Sequence, residues 1–199
     1  MIAGGRIAGV YHKELLPNYG VFDEARYFAE SREPTRLWEI CGIAAGVSIC
    51  EDIWSPEGPP ARQAAAGATL LLNINGSPFH DGKSDERALL LSSEAKRSGA
   101  AVVYVTCVGG QDELAFDGDS MIFDADGRLM YRAPQFAEEL FVVDIDVTTD
   151  RDRTVSAELV VEPTVSRVSL PRPESVERLP EDATVYEALV TGLRDYVTK

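Results

Sequence analysis

The sequence predicts an α/β fold built on a mixed sheet, and three features of its 199 residues carry that prediction. Short apolar runs at 42–50 (GIAAGVSIC), 68–75 (ATLLLNIN) and 101–108 (AVVYVTCV) suit strands covered on both faces. Helix-like segments separate these runs. After residue 118 the pattern changes to alternating apolar stretches joined by a tight turn, as antiparallel strands require.

Taken in order, residues 6–12 (RIAGVYH) predict a strand, closed by the proline and glycine of LPNYG at 16–20. PPARQAAAG at 59–67 has the proline entry and glycine exit of a short helix. SDERALLLSSEAKRSG at 84–99 places a serine cap and acids first, Lys and Arg late and a glycine last, which predicts a longer helix. In SMIFDADGRLMY the Asp126-Gly127 pair marks a hairpin, and ELFVVDID at 139–146 predicts a further strand. Residues 147–183, rich in Asp, Arg, Glu and proline, predict a linker or wrapping arm. In 184–199, Thr184 and Glu187 form a capping-box pattern. Tyr186, Leu189, Val190, Leu193, Tyr196 and Val197 share one helical face, so this amphipathic helix needs a partner surface.

Composition narrows the function. With 33 acidic against 19 basic residues and a net charge of -14, the chain repels nucleic acid and anionic lipid. No window approaches the roughly eighteen apolar residues of a membrane span, and the start lacks a signal-peptide run. Cys41, Cys50 and Cys107 are an odd set without C-x-x-C spacing, and two histidines are too few for a zinc cluster, so no metal site and a cytoplasmic location are expected.

The chemically loaded segment is GVSICEDIW at 46–54. An apolar strand delivers Cys50 to a turn, where the scaffold fixes the sulfur and the following N–H groups can face an oxyanion. A lone cysteine at a strand end is usually a small hydrophobe, but the adjacent Glu51-Asp52 is poor company for a packing residue. A thiol of ordinary pKa needs a base or a cation beside it to react at neutral pH. His12, Lys13 and His80 are the candidates; His12 and Lys13 point to opposite faces in a regular strand.

Four motifs then carry a resemblance: YHKELLPNYGVFDEARYF at 11–28, GVSICEDIW, NINGSPFHDGK at 73–83 and GGQDELAFDGDS at 109–120. Together they resemble the glutaminase domain of glutamine-dependent NAD synthetases, within the nitrilase (carbon-nitrogen hydrolase) superfamily. The likeness implies a nitrilase-like αββα sandwich of mixed sheets. It makes residues 1–146 a partial glutaminase domain with its N-terminal part missing, and 184–199 a helix leading to an absent synthetase domain.

Of the superfamily's Glu-Lys-Cys triad, the resemblance assigns Cys50 as nucleophile and Lys13 as the cation that stabilises thiolate and oxyanion. No residue here matches the general-base glutamate, since the chain begins twelve residues before Lys13. Glu24 is implied as a supporting carboxylate. Tyr19 and Trp54 are implied as pocket walls, Glu51 as the partner of the substrate α-amino group, and Ser77 and Lys83 as contacts along its backbone and carboxylate.

The implied reaction is hydrolysis of the glutamine side-chain amide through a thioester, feeding ammonia to the amidation of deamido-NAD. ATP, magnesium and deamido-NAD belong to the synthetase domain, whose S-G-G-x-D-S loop does not occur in this sequence. The resemblance also implies a homo-oligomer, and impaired turnover for the chain as given. Two rival readings are a free-standing amidase or carbamoylase of the same superfamily, and a non-catalytic oligomerising fragment.

Overall fold

The computed structural model describes residues 1–147, 156–161 and 173–198. Each apolar run becomes a strand of one sheet: β4 (Ile43–Ile49), β5 (Leu70–Asn75) and β6 (Ala101–Thr106) lie parallel and adjacent. Helix α1 (Pro59–Ala65) connects β4 to β5, and α2 (Lys83–Ser98) connects β5 to β6. Parallel neighbours need such crossovers, so the alternation in sequence is the cause of the topology. On one side of this trio β3 (Trp38–Ile40) pairs antiparallel with β4, and β11 (Glu158–Val161) pairs parallel with β3. On the other, β9 (Met121–Phe123) pairs antiparallel with β6, and β10 (Leu129–Arg132) with β9. The result is a seven-stranded mixed sheet. Two short ribbons flank it: β1 (Ile2–Ala3) with β2 (Arg6–Ile7), and β7 (Val108–Gln111) with β8 (Leu114–Asp117).

The core lies between the sheet and the two connecting helices. Leu71, Val102, Tyr104, Met121 and Phe123 meet Leu91 and Ala95 of α2 there. Close packing of α1 depends on Gly46, where a Cβ would collide with the Gln63 side chain. Gln63 Nε2 donates to the carbonyl of Val47 at 2.7 Å. Side chains alternate across a sheet, so the registered row Ile49, Ile74, Val105 faces away from the helices. Ile74 and Val105 remain 57% and 45% exposed on that face.

Several expectations need correction. The predicted strand at 6–12 is a strand only over Arg6–Ile7; Ala8 N–H still donates to the Met1 carbonyl at 3.0 Å and the Met1 ammonium donates to the Gly9 carbonyl at 2.6 Å, but residues 8–12 form no strand. The predicted strand at 139–146 is not a strand. Phe141, Val143 and Ile145 do pack on Ile122, Tyr131 and Ala133, so their alternation records one-sided packing, with no paired strand beside them among the described residues. Helix α2 starts after Gly82, held at φ 74°, and Ser84 is not its cap. Its hydroxyl instead donates to buried Asp119 at 2.6 Å.

The last helix, α3 (Glu181–Thr198), begins three residues before Thr184, so the capping box does not form. Thr184 Oγ1 donates back to the carbonyl of Pro180 at 2.9 Å. Helix α3 docks on the β7–β8 ribbon, where the Asp195 carboxylate accepts from the Gly110 N–H at 2.6 Å. It buries Thr184, Ala188 and Thr191, while Leu189, Leu193 and Tyr196 face outward at 67% exposure or more. Of the predicted arm at 147–183, residues 156–161 carry β11, and Val176 N–H bonds to the Arg132 carbonyl at 3.0 Å. Residues 148–155 and 162–172 of that arm lie outside the described residues. Among the described residues no helix is long and apolar enough to cross a membrane.

Candidate active site

Strand β4 ends at Ile49, and a single 3₁₀ turn, Cys50–Ile53, follows at once. Cys50 sits at the switch with φ 48°, in the left-handed region that only glycine enters freely. Such a conformation costs about 1–2 kcal/mol for an L-residue, and it is a feature of sites that need one side chain aimed away from the regular course of the strand. The thiol is 8% exposed, so the turn aims it without placing it in open solvent.

What the thiol meets is a cavity of about 410 Å³, lined by Cys50, Tyr19, Glu51, Trp54, Ser77 and Lys83, with Phe22, Phe79, His80 and Leu114 completing the wall. Of the six pocket and nucleophile positions expected from sequence, Cys50, Glu51 and Trp54 come from the turn after β4, Tyr19 from the irregular segment before β3, and Ser77 and Lys83 from the stretch between β5 and α2, and all six line one space. Tyr19 donates its hydroxyl to the Glu51 carboxylate, 3.0 Å away, and that bond together with burial pushes the phenol up to about 12. The Lys83 ammonium lies 3.9 Å from the Trp54 ring centroid, a cation–π geometry, and 2.9 Å from the Glu86 carboxylate.

Lys13 is largely buried and holds both oxygens of Glu24 at 2.6–2.7 Å. Its charge also reaches Cys50. Burial pushes the Cys50 thiol up, the Lys13 ammonium pulls it down, and the Glu51 and Glu24 carboxylates add to the upward push, so the balance lies above the ordinary thiol range. His12 is turned away on the surface beside Glu33 at 3.3 Å, whereas His80 lines the cavity.

Sequence reasoning passed over Asp52 as a functional residue. It is fully buried and accepts hydrogen bonds from the segment around Lys13 and from the end of β4. Its position immediately after Cys50-Glu51 was the available signal, but the partners that explain it lie about 40 residues away in the chain. Leu114 was present only within the GGQDELAFDGDS motif. It reaches the cavity because the Phe79 N–H donates to the Ala115 carbonyl at 2.7 Å, seating the β7–β8 ribbon on the loop after β5. Among the described residues no group of His, Cys, Asp and Glu is arranged to hold a metal ion.

The site thus joins a strand-end cysteine in a left-handed turn to a largely buried lysine whose charge reaches it, with a mixed sheet behind both. The family model for carbon-nitrogen hydrolase matches residues 1–153, and the chain belongs to that family. Within it the chain is similar to glutamine-dependent NAD(+) synthetases. It is 39% identical to that of Aquifex aeolicus and 40% identical to that of Thermotoga maritima, in each case over 100% of this chain and 37% of the relative. The structure of the glutamine-dependent NAD+ synthetase of Acinetobacter baumannii superposes with a TM-score of 0.80 at 36% identity, covering 98% of this chain and 33% of that one. The chain thus spans about a third of the length of these relatives.

Proposed function

We propose that this chain forms the glutamine site of an ammonia-supplying glutaminase, the hydrolase part of a glutamine-dependent NAD synthetase. The observation that carries the reading is the single cavity uniting Cys50 with Tyr19, Glu51, Trp54, Ser77 and Lys83. Its two charged ends suit a free amino acid: the Glu51 carboxylate for the α-ammonium group, Lys83 with Ser77 for the α-carboxylate. A side chain laid between them along Trp54 brings its amide to Cys50.

In this mechanism Cys50 Sγ attacks the amide carbon, and the C=O π pair moves to oxygen. Lys13, held by Glu24, stabilises the resulting oxyanion. Collapse breaks the C–N bond, nitrogen leaves as ammonia after gaining a proton, and water then hydrolyses the thioester to glutamate. The proton transfers need a general base, and no residue of this sequence matches the family's glutamate. ATP, magnesium and deamido-NAD are assigned to the synthetase part of such enzymes, which would also supply the ligase activity, and a cytoplasmic homo-oligomer is the setting we infer.

Titration calorimetry tests the reading. Glutamine is expected to bind, and Glu51→Gln to weaken it about 10–100-fold, the loss of a charge-assisted hydrogen bond. Simple ω-amides that lack the α-amino acid group, binding as well as glutamine does, would transfer the site to the free-standing amidase reading. Ammonia release that Cys50→Ala leaves unchanged would contradict the assignment of Cys50 as nucleophile. The oligomerising reading is favoured by one observation, the outward apolar side chains of α3; a chain that stays monomeric by sedimentation would remove it.

A further inference from the structure

Residues 8–18 surrounding Lys13 form neither strand nor helix, yet the chemistry requires the Lys13 ammonium to be placed against Cys50. Asp52 supplies what a ladder would otherwise provide. Its carboxylate is 0% exposed and takes four hydrogen bonds. Oδ1 accepts from the backbone N–H groups of Leu15 at 2.8 Å and Glu14 at 3.2 Å. Oδ2 accepts from the Tyr11 hydroxyl at 2.8 Å and the Ile49 N–H at 3.0 Å. Three of these donors bracket Lys13 on both sides, and the fourth immediately precedes Cys50. One buried anion thus grips the lysine segment and the nucleophile turn at the same time.

We propose that Asp52 is a positioning residue that sets the approach of the Lys13 ammonium to the Cys50 sulfur. The proposal rests on the reading of Cys50 and Lys13 as a reacting pair and adds the element that keeps them paired. The other ties on this segment are weaker candidates. The Ser31 N–H bond to the Lys13 carbonyl joins it to another irregular stretch, and the Glu14–Arg62 ion pair is partly exposed and reaches helix α1, not the turn. Tyr11 reinforces the clamp: its ring stands edge-on to Trp38, with centroids 6.2 Å apart. Burial, with the Asp52 charge beside it, drives the Tyr11 phenol well above its ordinary pKa, so its hydroxyl remains a donor throughout the accessible pH range.

The test is the pH dependence of Cys50 alkylation by iodoacetamide, followed on the Cys50 peptide by mass spectrometry so that Cys41 and Cys107 do not contribute. Lys13→Met removes a cation near the sulfur and should raise the pH midpoint by about one pH unit or more. Asp52→Asn should raise it by most of that amount, and the double variant should match Lys13→Met alone, because both act through one ammonium. Tyr11→Phe, which deletes a single donor, should shift the midpoint in the same direction by less.

A purely structural Asp52 would lower the melting temperature and leave the midpoint at the wild-type value, which overturns the proposal while the Lys13 effect survives. Should Asp52→Asn fail to fold, Tyr11→Phe decides: no shift overturns the clamp. A midpoint unmoved by Lys13→Met itself would overturn the paired-site reading together with the clamp, an outcome distinct from the first.

Discussion

Helices α2 and α3 are both amphipathic in sequence, and they meet the rest of the molecule in opposite ways. Helix α2 turns Leu91 and Ala95, both at 0% exposure, into the core beneath the sheet. Helix α3 docks through small and polar residues, Thr184, Ala188 and Thr191, with Gly192 set against Gly110, and leaves Leu189, Leu193 and Tyr196 outside. Periodicity tells where a helix has an apolar stripe; it does not tell which surface that stripe covers. For α3 the close backbone approach at Gly110 and the Asp195 bond to its N–H outweigh the stripe in fixing the docked face.

Three substitutions sharpen this contrast, read by denaturant unfolding and hydrogen exchange. Leu91→Ala empties a fully packed site and should cost about 2–5 kcal/mol of global stability. Gly110→Ala would set a Cβ 3.0 Å from the Gly192 Cα and 3.2 Å from the Thr191 carbonyl oxygen. Backbone on both sides must yield, so a loss of about 1–3 kcal/mol is expected. It should appear first as faster amide exchange in α3 and the β7–β8 ribbon. Leu193→Ala should change the stability of the monomer by no more than about 0.5 kcal/mol, as for any side chain already in solvent. A cost for Leu193→Ala as large as that for Leu91→Ala would mean that the outward face of α3 is covered in solution, and the contrast between the helices would fail.

The parallel core of the fold was legible because its strands announce themselves as apolar runs, although the helix-covered face is the more deeply buried and Ile74 and Val105 stay 57% and 45% exposed on the other. The Asp126-Gly127 turn was equally plain, with Gly127 at φ 74° where an L-residue is strained. The segments that misled are those whose backbone is satisfied without a ladder. Residues 139–146 pack Phe141, Val143 and Ile145, partly buried, against the sheet as a strand would, but among the described residues no strand pairs with them. Residues 8–12 look like a strand and are held instead through bonds between Met1 and Ala8 and Gly9, and through Tyr11 to Asp52 and Trp38.

The candidate site divides along the same line. Cys50, Lys13, Glu24 and the pocket residues sit in local motifs and were accessible to reading. Asp52 was not, because its role lies in bonds to backbone N–H groups, which any residue type supplies. The positive φ at Cys50 was equally hidden, since only glycine announces such a conformation in sequence.

The central claim is that the sulfur of Cys50 opens onto a glutamine-shaped cavity. An electrophilic chloroketone analogue of glutamine tests it most directly, with the adduct located by peptide mass spectrometry. The account predicts one adduct, on Cys50, absent from Cys50→Ala and slowed by added glutamine. Labelling spread over the exposed Cys41 and Cys107, or a Cys50 adduct that glutamine does not slow, would contradict it.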